Sequence, residues 1–235
     1  MSVLAALADL VFPRRCVGCG SYLGALCPEC LPVGPVQRGV DGTCWAARYD
    51  GPVRAALLAY KERGRRDLAD PLGALLARSV AVVWAAERAM SVRATSPTPY
   101  AGANVVLVPA PSARSVAAAR GGDHVLRLAR RAGARCGLRT AAGVLTLTRS
   151  VRDSAGLGIA DRAVNLAGAV AARPPPDGFG ALVVDDIVTT GATLHECVRA
   201  LREAGWPVIG AAVVASTPRR SVRISDPLAE HSDTV

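Results

Sequence analysis

Two periods of apolar residues run along the chain. Pro52 opens a segment in which Val53, Leu57, Leu58 and Tyr60 return at helical spacing and which closes near Gly64; a longer helical pattern follows over residues 67–89. After a polar, proline-bearing loop at 91–102, the run NVVLV at 104–108 is apolar on every position after Asn104, as a strand covered on both faces should be. Helical spacing returns over 123–134, a short strand pattern occupies 144–148, helical spacing fills 159–172, and prolines break the chain at 174–178. A buried strand at 181–184, a helix at 192–204 and a last buried strand at 208–215 complete the series. Helices alternating with apolar strands predict an α/β fold with a parallel sheet joined by right-handed crossovers. Residues 1–45 read differently: a short apolar helical stretch, a cysteine cluster and a Pro/Gly-rich linker at 31–42. The expected division is 1–45, a small N-terminal unit with its linker; 46–217, the main domain; and 218–235, a polar, aperiodic tail expected to be disordered.

Composition narrows this picture. A chain of 235 residues that is 51% hydrophobic and 20% charged is neither wholly disordered nor collagen-like, and is long enough for one core with a small accessory module. The longest apolar stretch, 72–86, is interrupted by Arg78, so no membrane span is expected. The first twelve residues are apolar but carry Asp9, have no Lys or Arg before Arg14 and lack a small-residue cleavage site; a secretory signal is not expected, and the protein reads as cytoplasmic.

Charge is unevenly spread. The chain carries 28 Lys+Arg against 19 Asp+Glu, and between residues 112 and 152 stand nine arginines and one acid, Asp123. Such a block suits a solvated helix face, a phosphate-bearing ligand or a nucleic-acid backbone. It holds no aromatic residue on which a single strand's bases could stack.

Four of the seven cysteines crowd into CVGCG and CPEC, at Cys16, Cys19, Cys27 and Cys30. Two C-x-x-C turns can present four thiolates to one tetrahedral zinc, and four sulfurs leave no open position, so the expected role is structural. Two disulfides and a redox C-x-x-C are the rival readings.

The most informative stretch is ALVVDDIVTTGATLHECVRAL, residues 181–201. A buried strand runs out into Asp185 and Asp186, then into Thr189, Thr190, Gly191, Ala192 and Thr193 at the start of an amphipathic helix. Unpaired N–H groups and the dipole at a helix N-terminus favour a phosphate, glycine permits close approach, and threonine hydroxyls add hydrogen bonds. Two acids beside a phosphate make sense if they accept hydrogen bonds from sugar hydroxyls or hold a metal. The plainer reading is a strand followed by ordinary helix capping. His124 and His195 are candidate bases by residue type alone, and His195, inside the helix, reads as structural.

The segment VVDDIVTTGAT resembles the phosphoribosyl pyrophosphate (PRPP) motif of type I phosphoribosyltransferases. With the four-cysteine knuckle, residues 7–217 resemble the ComF/GntX family of competence-associated, phosphoribosyltransferase-like proteins. YKERG at 60–64, VPAPS at 108–112, Arg120-Gly121, and Arg162 with Asn165 agree. The resemblance implies a mainly parallel sheet flanked by helices, with an N-terminal zinc knuckle. It implies that Asp185 and Asp186 contact ribose hydroxyls, that Thr189 to Thr193 hold the 5′-phosphate, that the loop at Pro109 and Ala110 meets pyrophosphate, and that residues 149–158 form a flap. Arg120 and Lys61 become candidate pyrophosphate partners or plain surface charges. The chain departs from the family at Gly122, Asp123 and His124 and at Ser154. Expected cofactors are structural zinc and Mg²⁺ with PRPP. Three functions follow: a transferase moving phosphoribosyl to a nitrogen nucleophile; a non-catalytic nucleotide sensor or single-stranded-DNA handler working with DNA-uptake proteins; or a zinc-only interaction module.

Overall fold

The computed structural model describes residues 15–93, 104–112, 122–149 and 167–217, with the side chains of 91–93 left aside. Among the described residues, eight strands and four α-helices follow in order: β1 (Gln37–Arg38), β2 (Cys44–Arg48), α1 (Gly51–Glu62), α2 (Ala69–Arg93), β3 (Asn104–Pro109), α3 (His124–Cys136), β4 (Arg139–Thr140), β5 (Leu145–Leu147), β6 (Val170–Ala172), β7 (Phe179–Val188), α4 (Ala192–Glu203) and β8 (Val208–Ser216). Six strands form one mixed sheet in the order β1-β2-β8-β7-β3-β4, parallel from β2 to β4 with β1 antiparallel at the edge. Helices cover both faces, so the expected α/β class with a mainly parallel sheet and a four-cysteine cluster at the N-terminal side is the architecture found.

The central strands are mostly apolar because both faces are covered, and their side chains alternate between two cores. Leu182 and Val184 of β7 join Val105 and Leu107 of β3 in the core under α1, α2 and α3. Ala181 and Val183, one residue out of phase, face α4, Trp206 and the β5–β6 pair. The longest helix is held firmly in the first layer. Ser79 of α2 donates to the Val213 carbonyl at 2.8 Å, and a Cβ added at Gly73 would sit 2.4 Å from Arg131 Cβ, so α2 and α3 meet where only glycine fits. The stretch Arg66–Met90 is of bilayer-crossing length and apolarity. Here Leu72, Leu76 and Val80 are fully buried and Val82 and Met90 are exposed, while Arg78 donates to the carbonyls of Pro32 and Gly34.

Topology creates the site. From β3 the chain crosses by α3 to β4 at one edge, and from β7 it crosses by α4 to β8 on the other side. The strand order reverses between β3 and β7, and a crevice opens at their carboxyl ends, where doubly wound sheets take ligands.

Several expectations change. Residues 170–172, read as the end of a helix, form β6, which pairs antiparallel with β5; the strand expected at 144–148 therefore belongs to a separate two-stranded sheet. Alanine carries little β signal, which hides AAR in β2 and VAA in β6. The strand expected at 181–184 runs from Phe179 to Val188 and so contains both acids. The stretch read as a linker holds β1, and the sheet includes Cys44, fully buried and paired with Ala212 of β8. The apolar N-terminal stretch, residues 159–166, the tail at 218–235, Ser154, Arg162 and Asn165 lie outside the described residues.

Candidate functional site

A cleft of about 460 Å³ lies at the switch point. Its walls are the β3–α3 loop at Ala110, Pro111 and Ser112, the end of β7 with Asp185, Asp186, Thr189 and Thr193, and Tyr49, Lys61 and His124 from elsewhere in the chain. Pro109, the last residue of β3, pairs with Val184, and the Ala110 N–H donates to the Val184 carbonyl at 2.9 Å, which fixes the loop beside β7. Pro109 opens onto an adjoining cavity of about 600 Å³ that shares Ala110, Pro111 and Ser112 with the cleft.

Because β7 continues through them, the two acids point to opposite sides of the sheet. Asp186 turns toward α1 and α3 and is 4% exposed. Its Oδ2 lies 2.8 Å from Lys61 Nζ and 3.0 Å from His124 Nε2. Burial by itself would raise its pKa; the His124 bond and the Lys61 ammonium outweigh that and hold the carboxyl well below the usual range, so Asp186 is ionised. Asp185 faces the α4 side. Burial first, then the neighbouring Asp186 charge, push it up to about 7. Its Oδ1 accepts from the Asp186 N–H at 2.8 Å. Two adjacent carboxylates thus divide into a charged group and a group that takes up a proton near neutrality.

Beyond Val188 the chain turns into α4. Gly191 is the N-cap, with φ +85°, a backbone region costly for any residue with a Cβ. Gly191 itself has no side chain with which to cap the helix. Thr190 Oγ1 accepts from the Ala192 N–H at 3.3 Å, while the next N–H groups of the first turn stay without helical carbonyl partners. Thr189 is exposed, and Thr190, Ala192 and Thr193 are half-buried. One contiguous turn thus gathers the N–H groups and hydroxyls that can hold an anion.

The structure brings Asp185, Asp186, Thr189, Thr193, Ala110 and Lys61 to one cleft, with Thr190, Gly191 and Ala192 in the turn above it. Lys61 pairs with Asp186. Arg120 and residues 150–158 of the expected flap lie outside the described residues, while Arg149 donates to the Ala167 carbonyl at 3.2 Å. His195, read as structural, has a side chain 66% exposed and stands 3.7 Å from Asp41 Oδ2. Tyr49 and Asp41 had no local signal in sequence; they arrive with β2 and the β1–β2 turn. Three described arginines of the basic block are engaged within the fold. Arg135 pairs with Asp70 at 2.9 Å, Arg127 sits over the Tyr60 ring, and Arg139 sits over Phe179.

The four cysteines form a second centre outside this cleft. Their sulfurs all lie within 4.8 Å of one another, and all seven cysteines of the chain are free thiols. Four thiolates around tetrahedral zinc, with Zn–S of about 2.3 Å, stand roughly 3.8 Å apart, so the set fits a structural zinc. The N–H groups of Gly18 and Cys27 donate to Cys16 Sγ at 3.4 and 3.3 Å, as to a thiolate. The 3₁₀ turn Pro28–Cys30 and the turn after Cys16 supply the two tight bends. Cys16, Leu26 and Cys27 are buried in the same core as α1 and α2, so the knuckle is packed onto the main domain.

No curated protein matches the chain. The stretch from just after β4 through β8, which carries the charged acid, its protonatable neighbour and the open α4 terminus, falls within residues 141–231, and these match the family model of the phosphoribosyl transferase domain.

Proposed function

We propose that the protein binds PRPP as its Mg²⁺ complex and transfers the phosphoribosyl group to a nitrogen nucleophile, releasing pyrophosphate. The observation that carries this reading is the pairing of a glycine-started helix N-terminus with two carboxylates in the strand just before it. A phosphate on the α4 N–H groups places the attached sugar beside Asp185 and Asp186, and carboxylates are acceptors for ribose hydroxyls. Mg²⁺ arrives with the substrate and offsets the charge of its pyrophosphate.

In this reading Thr189, Thr190, Gly191, Ala192 and Thr193 hold the 5′-phosphate, and Asp185 and Asp186 hold the ribose. Pro109, Ala110 and the rest of their loop face the pyrophosphate, with Arg120 and Lys61 as cationic partners. The C1–O bond to pyrophosphate breaks as the C1–N bond forms, and the nucleophile gives up its proton. Charge develops as in an oxocarbenium ion, so the protein's contribution is to orient the sugar and stabilise the departing anion. The zinc knuckle is structural and supports the core on which α1 presents Lys61. The family resemblance of the sequence supports a cytoplasmic role linked to competence and DNA uptake.

The test is calorimetric titration of the zinc-loaded protein with PRPP and Mg²⁺, with ribose 5-phosphate as control. Binding is expected in the wild type and is expected to be abolished by Asp186→Ala and by Thr190→Ala in folded protein. Unchanged affinity in both variants would overturn the site. Absence of PRPP binding together with single-strand binding that weakens as salt rises would favour the DNA-handling function instead.

A further inference from the structure

His124 enters the site from the first residue of α3, 62 positions before Asp186 in sequence. Asp123 caps that helix by accepting from the Leu126 N–H at 3.0 Å, and Tyr60 donates its hydroxyl to the His124 carbonyl at 3.1 Å, so the backbone carrying the ring is held on two sides. The ring is 5% exposed, and its edge packs against Tyr60 at 66°.

Its bonding is selective. Asp186 has two oxygens and two donors beside it, yet Lys61 and His124 both go to Oδ2. If charge compensation were the whole purpose, one donor on each oxygen would serve better. Crowding both onto Oδ2 leaves Oδ1 without a partner among the described residues, on a carboxylate that lines the cleft. The ring's other nitrogen supports the assignment. Nδ1 is buried and has no hydrogen-bond partner among the described residues. With Asp186 ionised, the Nε2–H tautomer leaves only a lone pair unpaired at Nδ1, whereas a proton there would be an orphaned donor.

We infer that His124 is a positioning residue for Asp186: together with Lys61 it pins Oδ2 so that Oδ1 is presented to the cleft as the acceptor for a ribose hydroxyl. This rests on the phosphoribosyl reading of the cleft and gives it a specific consequence. His124 governs recognition of the sugar and leaves recognition of the phosphate to the α4 turn.

The experiment measures affinities of the zinc-loaded, full-length protein for PRPP with Mg²⁺, for ribose 5-phosphate and for inorganic phosphate. It compares wild type, His124→Leu, His124→Gln and His124→Asn, with thermal unfolding of each. A glutamine amide reaches the place of Nε2, and an asparagine amide falls one bond short. His124→Leu and His124→Asn are expected to bind both sugar phosphates at least about tenfold more weakly, the loss of one hydrogen bond to a charged group. Inorganic phosphate should stay within about twofold, and His124→Gln within about threefold of wild type for all three ligands. If His124→Leu does not fold, the glutamine and asparagine pair carries the comparison. Equal weakening for phosphate and sugar phosphate, unchanged sugar-phosphate affinity in the leucine or asparagine variant, or failure of glutamine to restore it in folded protein would overturn the inference while leaving the site reading intact. A wild-type protein that binds neither sugar phosphate would overturn both.

Discussion

The four-cysteine knuckle and the β7–α4 turn are both short contiguous segments whose chemistry is written in their motifs, yet they are completed in different ways. The knuckle holds its whole ligand set within fifteen positions, and four sulfurs within 4.8 Å of one another need nothing from the rest of the chain to bind a metal. The turn carries its own N–H groups and hydroxyls in one segment, but the acids before it depend on Lys61 and His124, brought in by α1 and α3. A metal site is defined by its ligand atoms. A carboxylate pair is defined by which oxygen is already taken and which acid holds a proton, and these come from neighbours remote in sequence.

The largest effect should come from the knuckle. Cys27→Ser is expected to abolish stoichiometric zinc, measured by metal analysis, and to lower the thermal unfolding temperature of the whole chain, because Cys27 is fully buried in the core shared with α1 and α2. Loss of a structural zinc costs on the order of several kcal/mol at least. A variant that loses zinc but unfolds at the wild-type temperature would show the two regions to be energetically independent.

Next comes Asp186→Ala, which should destabilise the fold by about 3 kcal/mol in denaturant unfolding, since it strands Lys61 and His124 beside a buried gap. A stability equal to wild type would mean the ion pair is not formed in solution. Gly191→Val should cost about 1–2 kcal/mol, the strain of a β-branched residue at φ +85°, and weaken PRPP binding by at least about tenfold. Wild-type affinity in that variant would remove the close-approach role of the turn.

The last expected effect is on pH dependence. The folded-state pKa of Asp185 is raised to about 7 by burial and by Asp186, so the folded protein binds the proton more tightly than the unfolded chain. The stability this gives is present below about pH 4 and is lost as pH rises to about 7. Asp186 has the opposite sign: its lowered pKa gives stability above about pH 4 that is lost on further acidification. Asp185→Asn should therefore flatten the decline in stability between pH 4 and 7, seen in unfolding curves at pH 4.5 and 7.5. A decline as steep as in the wild type would assign it to another group.

Much of this was legible along the chain. The helical periods at 52–64 and 67–89, the buried run at 104–108 and the strand–turn–helix at 181–204 all have counterparts in the structure, because each is long and strongly patterned. The weaker segments were not. β1 and β4 are two residues each, and β2 and β6 are rich in alanine, so sheet membership there follows from a neighbouring strand, not from local propensity. Gly191 could be chosen from sequence as the residue for a close approach, and the left-handed cap confirms why it must be glycine.

By itself the sequence determined that this chain folds as alternating helices and apolar strands, gathers four thiols at one end and ends a buried strand with two acids and a glycine-centred turn. Those features are local, set by side-chain period, spacing and backbone permissiveness. Only the tertiary structure decided that the acids lie inside β7 and face opposite cores, that Asp186 is charged while Asp185 titrates near 7, and that His124 and Lys61 share one oxygen. The reason is physical: pairing, burial and charge at a site depend on distances across the sheet, and a sequence specifies those only once the strands have chosen their neighbours.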